Sequence, residues 1–153
     1  MKKILTCLFA ALGLTTACGQ QNFDNYDVKE FAELIADSNV VILDVRKADE
    51  FAEGHIKGAI LIDQFQSDFL EQAKAAIERV QSEVCFGSVE REQSRPKVKA
   101  KLPKEKTIAV YCRSGRRSAN AAGKLADVGY KCVNLKGGIL AWKEANMPVI
   151  KEE

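Results

Sequence analysis

Apolar positions along this chain follow two periods, one typical of buried strands and one typical of helices. Val40 to Leu43 and Thr107 to Tyr111 are short, largely apolar and rich in β-branched residues, which favours strands buried on both faces. Two shorter runs, Ile60 to Ile62 and Val133 to Leu135, predict two further strands. Because these strands alternate with helical segments, we expect an α/β fold, a small parallel β-sheet flanked by helices on both faces.

The segments between the predicted strands have helical periodicity and recognisable ends. Asp27 and Glu30 have the spacing of a capping box at the start of the first helix. Ser118 is the expected N-terminal cap of an Ala-rich helix, and Gly129 stands where its C-terminal cap belongs. Trp142 lies in a last short helix, where core packing is its simplest role. The predicted helices cover residues 28–36, 48–52, 67–81 and 118–128 and a segment after Gly138.

The stretch from Ser88 to Lys106 follows neither period. It is rich in charge, with more basic than acidic residues, and it holds Pro96 and Pro103. Such a composition predicts a charged surface insertion or long loop, which we place at about residues 82–106. A solvated loop is the simplest interpretation, and docking of an acidic partner is the alternative.

The first residues have the layout of an export signal. Lys2 and Lys3 precede an uncharged apolar run from Ile4 to Leu14, and small residues follow up to Cys18. The run is shorter than the roughly 20 apolar residues that span a bilayer, which makes a permanent transmembrane helix the weaker interpretation. The segment therefore predicts an exported protein of the periplasm or cell envelope.

Leu14 to Gly19 resembles the lipobox of bacterial lipoproteins, in which the cysteine becomes the lipidated first residue of the mature protein. Thr15 stands where that pattern usually has Leu. The resemblance implies a signal peptide over residues 1–17, lipidation of Cys18, a polar tether over residues 18–25, and contact with the membrane only through the lipid. Ordinary cleavage before this cysteine, which leaves a soluble exported protein, is the alternative.

A length of 153 residues, with 46% hydrophobic and 29% charged residues, fits one globular domain, which we place at residues 26–150. The formal net charge is +2, and without Lys2 and Lys3 the 23 basic residues fall to 21, the number of acidic residues. This balance gives no reason to expect a nucleic-acid partner or an anionic membrane surface. One histidine and scattered cysteines form no metal-ligand set, and nothing suggests an organic cofactor or a particular protein partner.

The strand that ends at Tyr111 leads directly into a loop with the residues of a nucleophilic site. Ligands of open α/β sheets bind at the carboxyl ends of strands, where Cys112 follows. Backbone N–H groups ahead of a helix, together with three arginines, would form an anion-binding concavity that favours a thiolate. Cys112 is therefore the candidate nucleophile, with a buried structural cysteine as the alternative. The candidate binding loop contains Arg113, Ser114, Gly115, Arg116, Arg117 and Ser118.

Five blocks of sequence stand in order over roughly residues 26–150: Leu43-Asp44-Val45-Arg46, Glu50-Phe51, Gly54-His55-Ile56-Lys57-Gly58-Ala59, Val110 to Ser118, and Leu135-Lys136-Gly137-Gly138 with Ala141-Trp142. Together they resemble a single-domain rhodanese. The resemblance implies the rhodanese fold and a sulfurtransferase, in which Cys112 takes a sulfane sulfur from a small anionic donor as a persulfide. The acceptor would be cyanide or a thiol. Backbone N–H groups from Arg113 to Ser118 would hold the persulfide and the anionic end of the donor.

Loop length separates two kinds of chemistry. Cysteine phosphatases and arsenate reductases, on a related fold, have Cys, five residues and then Arg, whereas Ser118 occupies that place here and Arg117 comes one position early. The number of residues between Cys112 and Arg117 therefore favours sulfur transfer over phosphate chemistry. Arg113, Arg116 and Arg117 also replace the small or neutral residues of loops associated with mercaptopyruvate, so thiosulfate or another inorganic sulfane donor is expected. A persulfide-carrying or partner-docking module with negligible turnover is the remaining alternative.

Asp44 and Arg46 end the first predicted strand at the same rim as Cys112. They either line the site or form ion pairs with neighbours such as Glu50, and we favour this supporting role. His55 is the only histidine and invites the role of general base. It matches the rhodanese turn, however, and a thiolate stabilised by its loop needs no base, so a structural role is preferred.

Two other cysteines belong to the predicted domain. Cys132 precedes a buried strand and is expected to be inert packing. Cys85 lies near the start of the insertion, where it is either buried or able to reach Cys112 as a resolving thiol in an oxidising compartment.

Overall fold

The computed structural model describes residues 22–85 and 106–151. The predicted signal peptide over residues 1–17, the lipidation of Cys18 and the charged insertion beyond Cys85 lie outside the described residues. Within the described ranges, no helix is long and apolar enough to cross a bilayer.

In the part of the chain that the structure describes, a parallel sheet of five strands forms the centre of the domain. Its strands are β1 (Asp24–Tyr26), β2 (Val41–Asp44), β3 (Ile60–Leu61), β4 (Thr107–Tyr111) and β5 (Lys131–Leu135). They lie in the order β1-β5-β4-β2-β3, so the two apolar runs of the sequence are neighbours near the middle of the sheet. Asp44 is in register with Tyr111, which brings the ends of β2 and β4 to one edge. This edge is where the loop that begins at Cys112 emerges.

Among the described residues, five helices cover the two faces of the sheet: α1 (Val28–Ile35), α2 (Ala48–Ala52), α3 (Phe69–Cys85), α4 (Arg116–Asp127) and α5 (Gly138–Glu144). On one face, Ile77 of α3 and Leu125 of α4 pack with Leu43 of β2. On the other, Phe31 of α1 and Trp142 of α5 pack with alternate residues of the same central strands. Each buried large apolar side chain contributes about 1.5–3 kcal/mol, so both layers hold the sheet rigid beneath the site. The predicted fold class is confirmed.

Several predicted element ends are confirmed by the hydrogen bonds of the chain. The N–H of Glu30 donates to Asp27 Oδ1 at 2.9 Å, and the N–H of Asp27 donates to Glu30 Oε2 at 3.0 Å. This reciprocal pair is the capping box expected for α1. Gly129 adopts a φ of +98° directly after Val128, the C-cap residue of α4, as expected of a glycine that ends a helix.

Two boundaries differ from the sequence prediction. The predicted tether over residues 18–25 overlaps β1, because Asp24 and Asn25 pair with β5. Backbone pairing, which has no apolar signature, places these polar residues in the sheet. The predicted insertion at about 82–106 begins too early, because α3 is helical to Cys85. No glycine or proline lies between Phe69 and Gly87, so nothing in the sequence stops the helix at 81.

Candidate active site

The Cys112 side chain is fully buried at the carboxyl end of β4, and the loop that follows it turns back over the sulfur. The N–H of Gly115 donates to Cys112 Sγ at 3.1 Å. The hydroxyl of Ser118 lies 3.3 Å from the same sulfur and 3.2 Å from the carbonyl oxygen of Gly115. A hydroxyl has one proton, and an anionic sulfur is the stronger acceptor, so this geometry stabilises a thiolate.

Ser118 is therefore not the helix cap that its residue type predicts. Helix α4 begins two positions earlier, at Arg116, and Gly115 is its N-cap residue. Gly115 has a φ of +88°, a left-handed conformation that glycine adopts without a steric penalty. Because the helix begins early, Ser118 lies in its first turn with its hydroxyl directed at Cys112.

The turn at Gly137 and Gly138, which follows the neighbouring strand β5, packs against the Cys112 loop. The N–H of Ile139 donates to the carbonyl oxygen of Cys112 at 2.8 Å, and the N–H of Leu140 donates to that of Arg113 at 3.1 Å. A Cβ on Gly138 would lie 2.5 Å from both of these oxygens. Only a residue without a side chain permits this approach, so Gly138 positions the Cys112 loop, a role not predicted from the sequence. Two consecutive glycines at the end of a strand adjacent to β4 are the signal that points to it.

The three arginines of the loop have different environments. The side chains of Arg113 and Arg116 are exposed, whereas that of Arg117 is 22% exposed and binds Glu50 of α2. The two Nη atoms of Arg117 donate to the two carboxylate oxygens of Glu50 at 2.7 and 2.6 Å. These hydrogen bonds raise the pKa of Arg117 and lower the pKa of Glu50. Arg117 therefore joins the loop to α2, whereas Arg113 and Arg116 form no ion pair with any other described residue.

Asp44 and Arg46 form a buried ion pair with each other, not with Glu50 as considered from the sequence. Arg46 Nε lies 2.9 Å from both oxygens of Asp44, and Nη2 lies 2.6 Å from Oδ2. Burial by itself would lower the pKa of Arg46, but the hydrogen bonds and charge of Asp44 outweigh it and the pKa is raised. Arg46 also donates to the carbonyl oxygens of Glu50 and Gly54. The pair thus connects the end of β2 to α2.

A cavity of about 410 Å³ opens beside the loop, and Arg46 and Arg113 line it with Glu50, Glu53, Ile139, Leu140 and Lys143. Arg46 of the buried ion pair and Arg113 of the loop thus line the same cavity. Tyr111 lies beside Arg46, whose guanidinium is 5.7 Å from the centre of the Tyr111 ring. Burial raises the pKa of Tyr111, and its hydroxyl accepts a hydrogen bond from the N–H of Ile56.

The other residues considered from the sequence are part of the scaffold. His55 is buried, its ring stacks on Phe51 at 3.8 Å between centroids, and Nδ1 lies 3.2 Å from the carbonyl oxygen of Phe51. Trp142 is buried and donates to the carbonyl oxygen of Pro148. Cys132 lies within β5, not before it, and burial raises its pKa to about 12. The side chain of Cys85 lies outside the described residues.

The fold and the loop define a class: a single α/β domain with a cysteine held by backbone and hydroxyl donors at the carboxyl edge of its sheet. In the described part of the chain, no group of His, Cys, Asp and Glu is arranged to hold a metal ion. The Rhodanese-like domain profile matches residues 27–145. The chain therefore belongs to the rhodanese-like domain family.

Individual relatives agree with this assignment. Rhodanese-like domain-containing protein 14 of Arabidopsis thaliana is 35% identical over 142 residues, covering 80% of this chain and 63% of that protein. Thiosulfate sulfurtransferase 18 of the same plant is 32% identical, with 80% of each chain covered. A rhodanese-related protein of Thermoplasma volcanium has a crystal structure that is 27% identical, covers 85% of this chain and 100% of that one, and superimposes with a TM-score of 0.61. The chain spans only 51% of the length of another curated relative.

Proposed function

We propose that this protein is a sulfurtransferase that moves a sulfane sulfur from thiosulfate to a thiophilic acceptor through a persulfide on Cys112. One observation carries the proposal: Cys112 Sγ accepts a hydrogen bond from the Gly115 N–H and faces the Ser118 hydroxyl, inside a loop where Arg113 and Arg116 are exposed. These donors stabilise negative charge on sulfur, both in the thiolate and in the persulfide that replaces it.

The first half of the reaction loads the cysteine. The thiolate of Cys112 attacks the outer sulfur of thiosulfate, the S–S bond of thiosulfate breaks, and sulfite leaves with the bonding electron pair. The product is a Cys112 persulfide anion, so the total charge is unchanged and no external oxidant is needed. The exposed guanidinium groups of Arg113 and Arg116 neutralise the sulfonate end of the donor.

The second half of the reaction transfers the outer sulfur of the Cys112 persulfide to the acceptor. A thiolate or cyanide ion attacks the outer sulfur of the persulfide, and the electron pair of the S–S bond returns to Cys112 as a thiolate. The acceptor leaves as a persulfide or as thiocyanate. His55, in its contact with Phe51, is not required to move a proton in either half.

Arg117 argues against the phosphatase alternative. A tetrahedral oxyanion needs an arginine free to donate both Nη groups, and those of Arg117 are already bound to Glu50. Ser118, which occupies the position of the phosphatase arginine, has its hydroxyl near the sulfur. The name of the Arabidopsis relative, Thiosulfate sulfurtransferase 18, supports thiosulfate as donor.

Intact-mass analysis after treatment with thiosulfate tests the nucleophile and the sulfur chemistry together. We expect the protein to gain the mass of one sulfur atom, localised to Cys112 by peptide mapping, and to lose it on addition of cyanide with release of thiocyanate. The Cys112→Ser variant should gain nothing, whereas Cys132→Ser, the matched buried cysteine, should behave as the unsubstituted protein does. A persulfide without cyanide-dependent turnover would instead identify a carrier module. Hydrolysis of an aryl phosphate would identify a phosphatase.

We also propose that the protein is exported and anchored through lipidated Cys18. The support is the sequence of residues 2–19, with its basic start, apolar run and lipobox-like end. Sulfur transfer would then take place in the cell envelope.

A further inference from the structure

The chain turns back after α5, and residues 147–151 form a segment that we call the C-terminal strap. Asn146 makes the reversal with a φ of +55°, in the left-handed region. The N–H of Met147 donates to the carbonyl oxygen of Trp142 at 3.1 Å, and Trp142 Nε1 donates to the carbonyl oxygen of Pro148 at 3.0 Å. These two hydrogen bonds fix the start of the strap to α5.

The strap then pairs with the turn that follows α2. The N–H of His55 donates to the carbonyl oxygen of Ile150, and the N–H of Ile150 donates to that of His55, both at 2.8 Å. This reciprocal exchange is the hydrogen-bonded pair of an antiparallel ladder. Val149 lies beside Gly54, where a Cβ would be 3.5 Å from its side chain. The strap therefore joins α5 to the turn after α2.

Helix α2 depends on this turn for its position. It has five residues, and an isolated helix of fewer than about 12 residues is not stable in water, so contacts with other elements must hold it. The ring of His55 stacks on Phe51 of α2, with 3.8 Å between centroids and 7° between planes. Arg46 donates to the carbonyl oxygens of Glu50 in α2 and Gly54 in the turn, at 2.7 and 2.9 Å. The helix and the turn therefore move together.

Helix α2 in turn holds the first residues of α4. The carboxylate of Glu50 accepts hydrogen bonds from both Nη atoms of Arg117, at 2.7 and 2.6 Å. Arg117 lies between the two residues that face the sulfur of Cys112, since the N–H of Gly115 donates to Sγ and the hydroxyl of Ser118 lies 3.3 Å from it. A displacement of α2 would therefore move the groups that stabilise the anionic sulfur.

We propose that the C-terminal strap is a positioning element of the Cys112 site. Through the backbone pair of Ile150 and His55 it fixes α2, and through Glu50 it fixes the donors around the Cys112 sulfur. The strap touches neither donor nor acceptor, so its effect is entirely on the geometry of the loop. This inference rests on the proposed function, because it gives the strap a part in sulfur transfer.

Ile150→Pro tests the strap, because proline has no N–H to donate to His55. We expect kcat for thiocyanate formation to fall about tenfold, while KM for thiosulfate stays within about twofold. The displaced donors act on the sulfur of Cys112, whereas the exposed arginines of the loop bind thiosulfate. Ile150→Ala keeps the N–H, and Lys151→Pro places a proline one position beyond the pair. Both controls should retain the kcat of the unsubstituted protein.

A double-mutant cycle shows whether the effect passes through Glu50. Glu50→Ala removes the carboxylate that binds Arg117 and should itself lower kcat about tenfold. Adding Ile150→Pro to Glu50→Ala should lower kcat by less than about twofold more, because the connection is already broken. Independent damage at two sites would instead multiply the two losses. A full tenfold further loss in the double variant would overturn the inference.

Amide hydrogen exchange tests the positioning without turnover. We expect the N–H of Gly115 to exchange about tenfold faster in Ile150→Pro than in Ile150→Ala. The N–H of Gly129, which donates to the carbonyl oxygen of Ala126 at the far end of α4, should exchange at the same rate in both. Equal acceleration of the two amides would show a general loss of stability and contradict positioning. If Ile150→Pro does not fold, a chain that ends at Val149 replaces it; a second failure would show that the strap maintains the whole fold, against the inference.

Persulfide formation separates this inference from the proposed function. If Cys112 of the unsubstituted protein forms a persulfide with thiosulfate, but kcat is the same in Ile150→Pro and Ile150→Ala, the strap has no positioning role and the sulfurtransferase stands. If no persulfide forms on Cys112, the proposed function itself fails, whatever the exchange rates of the Gly115 amide are.

Discussion

Glu50 shows how a single residue can set the charge of a site that it does not occupy. By binding both Nη atoms of Arg117, it neutralises one of the three cations of the loop and anchors the loop to α2. Arg113 and Arg116 remain as the groups open to a donor or an acceptor. The site is therefore less basic than the run of three arginines indicates.

The Glu50→Gln variant should lose stability in a pH-dependent way. The pKa of Glu50 is lowered in the folded protein, chiefly by its hydrogen bonds to Arg117. The ion pair therefore stabilises the folded state fully above the ordinary glutamate pKa of about 4.3, and this stabilisation is lost as the pH falls through the lowered pKa. We expect Glu50→Gln to be about 1 kcal/mol less stable than the unsubstituted protein at neutral pH, with the difference vanishing in strong acid.

Urea unfolding at several pH values measures this difference. Glu33→Gln is the matched control, because Glu33 is an exposed glutamate on α1, where the described residues form no ion pair with it. A gap between the unsubstituted protein and Glu50→Gln that stays constant from neutral to acid pH would mean that the carboxylate charge does not stabilise the fold.

Residue types predicted the nucleophile but not the groups that hold it. Cys112 is recognisable because a cysteine between a buried strand and an arginine-rich turn has few structural reasons to be there. The contact of Ser118 with its sulfur depends on the left-handed conformation of Gly115, which moves the helix start by two residues. Backbone conformation at one glycine is decided by its packing against the next strand, and a linear sequence does not display that packing.

At the scale of elements, the site is made by two turns from adjacent strands. The β4–α4 loop carries Cys112, and the β5–α5 turn supports it through two backbone hydrogen bonds and the close approach at Gly138. The position of the β4–α4 loop therefore depends on the absence of a side chain at Gly138 in the β5–α5 turn.

The Gly138→Ala variant should damage both stability and sulfur transfer. Its new Cβ would lie 2.5 Å from the carbonyl oxygens of Cys112 and Arg113, at a φ of +60°, so the loop must move. A displacement of this kind lowers catalytic rates by about 100-fold. Gly58→Ala is the matched control, because Gly58 has a φ of +80° but no atom within 4 Å of the new Cβ. We expect it to lose only about 1–2 kcal/mol of stability, from backbone strain.

Rates of thiocyanate formation and urea unfolding distinguish the two glycine variants. Equal losses of rate in Gly138→Ala and Gly58→Ala would show that strain alone matters and that the close approach beneath the loop does not position it.

Elements with a strong apolar period were predictable, and those held by backbone pairing were not. The runs that became β2 and β4 are buried on both faces, which leaves a continuous apolar signature in the sequence. Strand β1 has three residues, two of them exposed, and belongs to the sheet through its pairing with β5. The helical end of α3 at Cys85 was missed because the predicted helix ended at about residue 81 and the insertion was placed directly after it.

At the scale of the whole molecule, strand direction relates the site to the N-terminal segment. The strands that the structure describes all pair in parallel, so the chain enters β1 from the amino edge and Cys112 lies at the carboxyl edge. From Cys18 to Asp24, a fully extended chain spans at most about 20 Å. A lipid on Cys18 would therefore hold the amino edge of the sheet near the membrane and leave the edge that carries Cys112 facing the aqueous compartment.

The Cys18→Ala variant should move the protein from the membrane fraction to the soluble fraction while its kcat/KM with thiosulfate and cyanide stays within about twofold of the unsubstituted protein. The rate is expected to persist because a site at the opposite edge of the sheet depends on neither the lipid nor the surface. Cell fractionation with metabolic labelling by a fatty acid measures the first effect, and the thiocyanate assay in detergent and in vesicles measures the second. Cys132→Ala is the control for loss of a cysteine elsewhere, and it should remain membrane-bound. A Cys18→Ala protein that stays in the membrane fraction would contradict the anchor, and a large change in rate on release would contradict the orientation.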